Sequence, residues 1–180
     1  MLFNVAIIIT SVRTPRIGPH VATLIKSILQ KDPNPSINLS IVDLADFKLP
    51  IFDESIVPGN IPAYGSFSNP HSIAWSDEIK KYDAYVLTLP EYNYGVAGST
   101  KNAIDYLKHE WDGKPVALVG YGIYGAKNAT ASVKTSLSGM GLRVVDTGKL
   151  GEASQKEWEE QGAVLVKALK EIQDGLENPP

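Results

Sequence analysis

Hydrophobic positions along the chain follow two alternating spacings. Five short runs rich in β-branched and apolar residues predict strands at Phe3–Thr10, Ile37–Val42, Asp83–Leu89, Val116–Gly120 and Leu142–Val145. Between them, apolar residues recur every three or four positions and predict helices at about 18–30, 71–81, 99–109, 126–140 and 155–175. Strands and helices that alternate in this way favour a parallel sheet covered by helices on both faces.

The composition of the predicted strands suggests their order in the sheet. The first strand is apolar almost throughout, which is typical of the centre of a parallel sheet, whereas the second alternates apolar and polar residues and is expected near an edge. Five strands joined by right-handed crossovers fit the doubly wound order 2-1-3-4-5. We therefore predict a single α/β domain over residues 1–175 with a tail at 176–180. A long excursion of the chain, 44–68, follows the second strand.

Composition and charge change this picture mainly by exclusion. The net charge of −3 is mild, and the Lys and Arg residues are scattered, which argues against a nucleic-acid partner. The apolar N-terminus is too short to span a bilayer and lacks an export signal, so we expect no membrane partner and a cytoplasmic location. The histidines, His20, His71 and His109, lack the spacing of a metal site. Without cysteine, any redox chemistry has to come from a bound cofactor.

In a doubly wound sheet, ligands bind beyond the carboxyl ends of the strands, where the strand order reverses. The first loop there, Thr10–Gly18, combines hydroxyl groups, Arg13 and Arg16 with a helix N-terminus, a combination suited to a terminal phosphate. A capped helix start with solvated arginines is an equally weighted alternative. The loop has neither the Gly-x-Gly-x-x-Gly of a dinucleotide site nor the Gly-Lys-Ser/Thr of a P-loop, which favours a mononucleotide.

The second loop, Pro90–Gly98, follows the third strand and is rich in aromatic rings and turn-forming residues. The rings of Tyr92 and Tyr94 offer stacking surfaces to a flat heteroaromatic ligand. Taken alone, Tyr-Asn-Tyr-Gly is more often a surface turn than a cofactor site. Its position at the carboxyl edge of the sheet favours the ligand site.

The third loop, 120–126, carries three glycines that would let the backbone approach a ligand closely, although a plain tight turn has a similar sequence. Asp43, at the end of the second strand, is explained more simply as a cap than as a ribose ligand. Trp75 and Trp111 are expected to pack in the core.

Five stretches of the chain form a pattern that is more specific than any one motif. They are Ser11-Val12-Arg13 followed by Arg16, Asp43-Leu44 with Leu49-Pro50, Pro90-Glu91-Tyr92-Asn93, Lys101-Asn102-Ala103-Ile104-Asp105, and Glu110-Trp111 before Gly113-Lys114-Pro115. With this pattern the chain resembles the NADPH-dependent FMN reductase family, which includes quinone and azo-dye reductases, over most of its length. It departs from many members at Thr10, where they have Gly, and at Gly120 and Ala126 in the third loop.

The resemblance implies a flavodoxin-like fold, bound FMN, NADPH or NADH as hydride donor, and a small-molecule electron acceptor such as a quinone, an azo compound or free flavin. Because the flavin supplies the chemistry, no catalytic side chain is nominated. Family members are typically homodimers or dimers of dimers, so we expect a homodimer or homotetramer. The alternatives are an electron-carrying flavodoxin, a flavin-dependent binding or sensor module, and a scaffold that has lost its flavin.

The resemblance also implies residue roles. Ser11, Arg13 and Arg16 would clamp the phosphate, 90–94 would lie along the isoalloxazine ring, and Gly122 and Gly125 would shape its far side. Lys101-Asn102 would lock the second loop in place. The residues expected at the cofactor are Ser11, Arg13, Arg16, Ile17, Gly18, Pro90, Glu91, Tyr92, Asn93, Tyr94, Gly120, Tyr121, Gly122 and Gly125.

Overall fold

The computed structural model describes residues 2–31, 34–62, 66–145 and 155–178, and the side chains of these ranges except 155–161. Its strands are β1 Phe3–Ile9, β2 Ile37–Asp43, β3 Ala84–Tyr92, β4 Gly95–Val96, β5 Pro115–Tyr121 and β6 Arg143–Val145. Its α-helices are α1 Gly18–Lys31, α2 Pro70–Ile79, α3 Gly98–Asp105, α4 Lys127–Gly139 and α5 Gln155–Glu177. Two short 3-10 turns, Leu44–Phe47 and Pro58–Asn60, lie in the predicted excursion after β2.

Five strands form a parallel sheet in the order β2-β1-β3-β5-β6. This is the predicted doubly wound order, with β5 and β6 as the predicted fourth and fifth strands. The sixth strand, β4, was not predicted and pairs antiparallel with the end of β3. Strand order reverses between β1 and β3, so the ligand-binding crevice of such a sheet lies above this pair and its neighbours.

The interior strand β1 is buried on both faces, as its almost entirely apolar sequence predicts. Val5, Ile7 and Ile9 pack with α1 and α5, whereas Ala6 and Ile8 pack on the opposite face with α2, α3 and α4. Each fully buried side chain of this size contributes about 1.5–3 kcal/mol relative to an exposed one. The loops at the carboxyl edge therefore extend from a sheet that is packed on both faces.

The two tryptophans predicted to pack do so. Trp75 is 1% exposed and Trp111 is 2% exposed, and their rings meet edge to face with centroids 6.2 Å apart. The Trp75 indole N–H donates to the carbonyl of Ala103 on α3, at 3.0 Å. These rings tie α2 and α3 to the sheet and take no part in the loops at its carboxyl edge.

The structure extends β3 past its predicted end at Leu89. Pairing with β1 stops at Thr88, whereas pairing with β5 continues to Pro90, whose missing N–H costs no ladder bond where one side has no partner strand. The chain then reverses at Asn93 and Tyr94, with φ of 50° and 61°, into β4. Positive φ at both central residues is the pattern of a type I′ hairpin turn. The predicted second loop is therefore largely a β-hairpin.

Several helix ends also differ from the prediction. Helix α3 starts at Gly98 and ends at Asp105, four residues before the predicted end, and Ala97 occupies its N-cap position. The predicted N-cap, Ser99, instead donates its hydroxyl to the carbonyl of Thr10, at 2.7 Å. Helix α5 continues to Glu177, two residues beyond the predicted boundary of the domain. None of the helices in the described ranges combines the length and hydropathy of a membrane span.

Candidate active site at the carboxyl edge of the sheet

The loops after β1, β3 and β5 meet at one edge of the sheet, as the topology predicts. The guanidinium carbon of Arg13, on the first loop, lies 5.7 Å from the ring centroid of Tyr92, on the hairpin. The rings of Tyr94, on the hairpin, and Tyr124, on the third loop, lie 5.9 Å apart and within 15° of parallel. Two ring contacts thus join three segments that are far apart in sequence.

The start of α1 is the part of this edge that fits a phosphate. Ser11 is 1% exposed, and its hydroxyl, which lies near that of Tyr121, makes no hydrogen bond of ordinary geometry to any of the described residues. A Cβ placed on Gly18 would collide with that hydroxyl and would lie 3.0 Å from the Tyr121 hydroxyl oxygen, so only glycine fits there. An unpaired buried hydroxyl is costly, and the first N–H groups of a helix have no partner within it. An anion bound here would accept hydrogen bonds from the Ser11 hydroxyl and from the first N–H groups of α1.

Arg13 and Arg16 behave differently although the same role was expected of both. Arg13 is exposed and rests on the Tyr92 ring, and no described residue accepts a hydrogen bond from it. Arg16 makes a bidentate pair with Asp43, at 2.8 and 2.6 Å, and also donates to the Ser11 carbonyl, at 2.8 Å. The hydrogen bond to Asp43 raises the pKa of Arg16. Arg16 therefore holds the first loop in place, whereas the guanidinium N–H donors of Arg13 are available to a ligand.

Asp43 acts as the cap that the sequence suggested. Its Oδ1 accepts from the backbone N–H of Ala45, at 3.0 Å, at the start of the 3-10 turn that follows β2. Both carboxylate oxygens are also engaged by Arg16. Among the described residues, the carboxylate thus joins the loop after β1 to the loop after β2.

Glu91, expected along the isoalloxazine ring, caps a helix. Its carboxylate accepts from the N–H groups of Asn128 and Ala129, at 2.8 and 2.9 Å, in the first turn of α4. The N-cap residue of α4, Ala126, has no side-chain acceptor and has a φ of 50°. A carboxylate from the neighbouring strand supplies the missing acceptor, and the positive end of the helix dipole favours its charge.

The three glycines of the third loop do not share one role. A Cβ on Gly120 would lie 2.5 Å from the Thr130 hydroxyl and 2.8 Å from the Ala126 Cβ, so this glycine makes room for α4, and its expected contact with the cofactor stays a prediction. Gly122 and Gly125 have φ of 153° and 70°, which other residues rarely adopt. These two glycines provide the backbone conformations with which the loop turns from β5 into α4.

The remaining expected residues lie at different depths. Pro90 and Tyr121 are buried in their strands, and burial raises the pKa of Tyr121. Ile17 is exposed on the rim of the first loop. Asn93 is exposed at the tip of the hairpin, next to Tyr94.

Asn102 fastens a loop other than the one expected. Its amide donates to the carbonyl of Pro50, at 2.6 Å, and accepts from the N–H of Phe52, at 2.9 Å. It therefore holds the loop after β2, not the hairpin, while Lys101 pairs with Asp105 within α3. A cavity of about 250 Å³ lies beside this contact and is lined by Val12, Leu44, Ala45, Lys48, Leu49, Ser99 and Asn102.

Sequence reasoning missed two groups at this edge. The Thr10 hydroxyl donates to the carbonyl of Thr88 and accepts from the hydroxyl of Thr100, both at 2.7 Å, which locks the end of β1 between β3 and α3. Ile123 and Tyr124 present exposed side chains from the third loop. Two large apolar residues between glycines, in a loop predicted at this edge, were the signal available in the sequence.

Comparisons with known proteins agree with this geometry. Residues 3–157 match the sequence family described as NADPH-dependent FMN reductase. The chain is similar to an NAD(P)H-dependent FMN reductase, ntnL, from a Nectria species, with 39% identity over 98% of both chains. It is 32% identical to a quinone reductase from Pseudomonas putida, over 76% of this chain and 70% of the relative.

Among solved structures, the fold is similar to that of FerB, a flavoenzyme NAD(P)H:(acceptor) oxidoreductase from Paracoccus denitrificans. The two superpose with a TM-score of 0.67 over 98% of this chain and 94% of the other, at 22% identity. That likeness concerns the fold, and the sequence matches concern the family. The sequence matches show that the chain belongs to the NADPH-dependent FMN reductase family.

Proposed function

We propose that FMN binds in the cleft between the first loop, the β3–β4 hairpin and the third loop, and that the protein uses it as an NAD(P)H-dependent oxidoreductase. The observation that carries this assignment is the buried, unpaired hydroxyl of Ser11 beside the glycine that opens α1. Bound at this site, FMN would supply the hydride and electron-transfer chemistry between NAD(P)H and a small-molecule acceptor. Quinones, azo compounds and free flavin are the acceptors suggested by the family.

The chain's own part in this function is to hold and orient the cofactor. Ser11, Arg13 and the first N–H groups of α1 bind the phosphate, because each is a donor that lacks a partner among the described residues. The Tyr92 ring, 5.7 Å from the guanidinium carbon of Arg13, helps to hold this side chain in place. Arg16 and Asp43 keep the first loop in shape without contacting the phosphate.

The flat ring of the cofactor is assigned to the space beside the hairpin and the third loop. The positive φ of Gly122 lets the third loop pass close to the hairpin, where a Cβ on this residue would lie 3.8 Å from the Glu91 Cβ. Backbone N–H groups at such turns can stabilise the negative charge of a reduced flavin. We assign this role to the backbone, because the Glu91 carboxylate is occupied by α4.

The proposed assembly is a homodimer or homotetramer. Large apolar side chains are exposed outside the cleft at Ile51 and Val57, in the loop after β2, and at Ile73 on α2. A subunit interface that includes these positions would remove their side chains from water. Sedimentation velocity of the purified protein tests it, and a monomer at micromolar concentration would contradict it.

The function is tested by the visible spectrum of the protein loaded with FMN, recorded anaerobically before and after NADPH or NADH is added. We expect the oxidised-flavin bands to bleach and to return when a quinone is added. Absence of FMN binding would overturn the cofactor assignment. FMN binding without reduction by either nucleotide would favour an electron carrier or a flavin-dependent sensor.

A further inference from the structure

A cluster of buried hydroxyl groups fixes the residue that follows β1. Thr10, Thr88 and Thr100 are 3%, 0% and 1% exposed. The hydroxyl and the backbone N–H of Thr10 both donate to the carbonyl of Thr88, at 2.7 and 3.4 Å, and Thr100 donates its hydroxyl to that of Thr10, at 2.7 Å. Many members of the family have Gly at this position, which has no hydroxyl to make such bonds. In this chain, Thr10 is therefore held by both β3 and α3.

Ser99 adds a bond of a different kind, because it engages the backbone of the first loop. It is the second residue of α3 and is half-buried, and its hydroxyl donates to the carbonyl of Thr10, at 2.7 Å. A serine close to a helix start commonly accepts a hydrogen bond from the first N–H groups of its own helix. Here α3 has Ala97 at its N-cap and no side-chain cap, and the Ser99 hydroxyl is directed to the first loop.

A carbonyl that is fixed in this way also fixes the amide that follows it. The Thr10–Ser11 peptide is trans, since the cis bonds of the described ranges precede Pro15 and Pro62. In a planar trans peptide the C=O and the N–H point in opposite directions. The Thr10 carbonyl is turned to α3, so the Ser11 N–H is turned away from α3. Helix α1, whose start was assigned to the phosphate, packs on the face of the sheet opposite to α3.

Ser11 has two donors beside the start of α1. Its N–H donates to no described residue, and its hydroxyl makes no hydrogen bond of ordinary geometry. Gly18, the first residue of α1, lies directly against that hydroxyl. Since Ser11 is 1% exposed, donors left without an acceptor there are costly. Their direction matters for binding, because a hydrogen bond weakens steeply when its donor is misaligned.

We propose that Ser99 is a positioning residue of the cofactor site: its hydroxyl holds the Thr10 carbonyl on α3 and so directs the Ser11 N–H to the phosphate of FMN. This inference rests on the proposed function, because the phosphate is the one assigned there to the start of α1. Ser99 acts through the Thr10–Ser11 peptide and does not contact the phosphate. The helix that follows the hairpin thus sets the geometry of the first loop.

The first test compares two flavins that differ by the phosphate. The full chain, freed of flavin, is titrated with FMN and with riboflavin by fluorescence quenching. We expect Ser99→Ala to raise the Kd for FMN about fivefold, as for a hydrogen bond to a charged group that is weakened but not lost, and to leave the Kd for riboflavin unchanged. Ser99→Thr keeps the hydroxyl and should retain the wild-type preference for FMN.

The control and a second measurement separate positioning from a merely structural role. Ser136→Ala removes another serine hydroxyl that donates to a carbonyl, that of Ser132 within α4, and should change neither Kd. In protein labelled with ¹⁵N-serine, we expect the Ser11 amide proton of the wild type to lie further downfield with FMN than with riboflavin, because donation to a charged acceptor deshields it. In Ser99→Ala this difference should be smaller.

Three results would overturn the proposal. An unchanged ratio of FMN to riboflavin affinity in Ser99→Ala would show that the hydroxyl does not act on the phosphate site. Equal weakening of both flavins, with a lower Tm, would show a structural role only. A Ser11 amide shift that is the same in Ser99→Ala as in the wild type would show that the peptide is oriented without Ser99. Equal affinity of the wild type for FMN and riboflavin would instead count against the phosphate site of the proposed function itself.

Discussion

The loops on the β2 side of the carboxyl edge and those on the β5 side are held by different kinds of interaction. On the β2 side, side chains of opposite charge or complementary polarity tie loop to loop, as in the bidentate pair of Arg16 with Asp43 and the two bonds of Asn102. On the β5 side, backbone turns with positive φ and one carboxylate cap set the course of the chain.

The consequence is a difference in what each side offers a ligand. On the β2 side, the bonds of Arg16 and Asn102 hold the loops in place before a ligand binds, which limits the conformational entropy lost on binding. The β5 side leaves the large side chains of Tyr94, Ile123 and Tyr124 in solvent. One half of the cleft is thus organised around charge and the other around flat apolar surface.

The largest expected effect concerns Arg13, which lies where the two sides meet. Arg13→Ala removes charge-assisted hydrogen bonds to the phosphate, each worth about 1.5–3 kcal/mol, and should raise the Kd for FMN by about 10- to 100-fold. Riboflavin, which has no phosphate, should bind the variant and the wild type equally. Lys170→Ala, an exposed cation on α5, is the control. Equal weakening of both ligands would contradict the assignment.

The brace on the β2 side is tested by Arg16→Ala and Asp43→Ala, singly and together. The partly buried bidentate pair should contribute about 1–2 kcal/mol of coupling to the free energy of unfolding, measured by a double-mutant cycle in urea. The ratio of FMN to riboflavin affinity should stay that of the wild type, because the Arg16 donors are engaged by Asp43 and the Ser11 carbonyl and, in our proposal, do not bind the phosphate. If that ratio falls as it does in Arg13→Ala, Arg16 is a phosphate ligand after all.

The cap on the β5 side should have a smaller effect. Glu91→Gln keeps an acceptor for the N–H groups of Asn128 and Ala129 but removes the charge that favours the helix N-terminus, at a cost of roughly 0.3–1 kcal/mol. Differential scanning calorimetry should show a Tm lower by about 1–4 °C. A weaker Kd for FMN at unchanged Tm would instead place Glu91 at the cofactor.

The smallest expected effect is a pH dependence in the loop after β2. A hydrogen bond from His71 lowers the pKa of Asp53, which also accepts from Tyr106, at 3.1 Å. Since the pKa is lower in the folded than in the unfolded protein, where it is about 3.9, the stabilisation exists above that value and is lost as the pH falls through the folded value.

Asp53→Asn should therefore have a lower Tm than the wild type at pH 6, and the gap should close below about pH 4. Asp77→Asn, which removes a largely exposed carboxylate on α2, is the control for the loss of one surface charge. A gap that stays constant between pH 6 and pH 3 would mean that the carboxylate does not contribute through its ionised form.

Most of the fold could be predicted because periodicity reports burial directly. The almost entirely apolar sequence of β1 and the alternation in β2 led to their interior and edge positions, and both are confirmed. The strand β4 could not be found this way, since Gly95 and Val96 are too short to show a period. The turn before it has Tyr94 where the usual hairpin signal has glycine.

The location of the site could be predicted more readily than the contacts that its residues make. Strand order brought the three loops together, and the two ring contacts between them bear this out. The partners of Arg16, Glu91 and Asn102 lie 27, 37 and 50 residues away in sequence. No local pattern encodes such pairings, so residues that brace the site resembled residues that bind the ligand.

The hydroxyl bonds of Thr10 bear on how the chain assembles during synthesis. Its partners, Thr88 and Thr100, follow it by 78 and 90 residues, and the third loop emerges later still. A nascent chain released after β2 holds the first loop but none of its neighbours, so it has no cleft for a flavin. Quenching of flavin fluorescence is therefore expected only from chains that extend past β5 and the third loop.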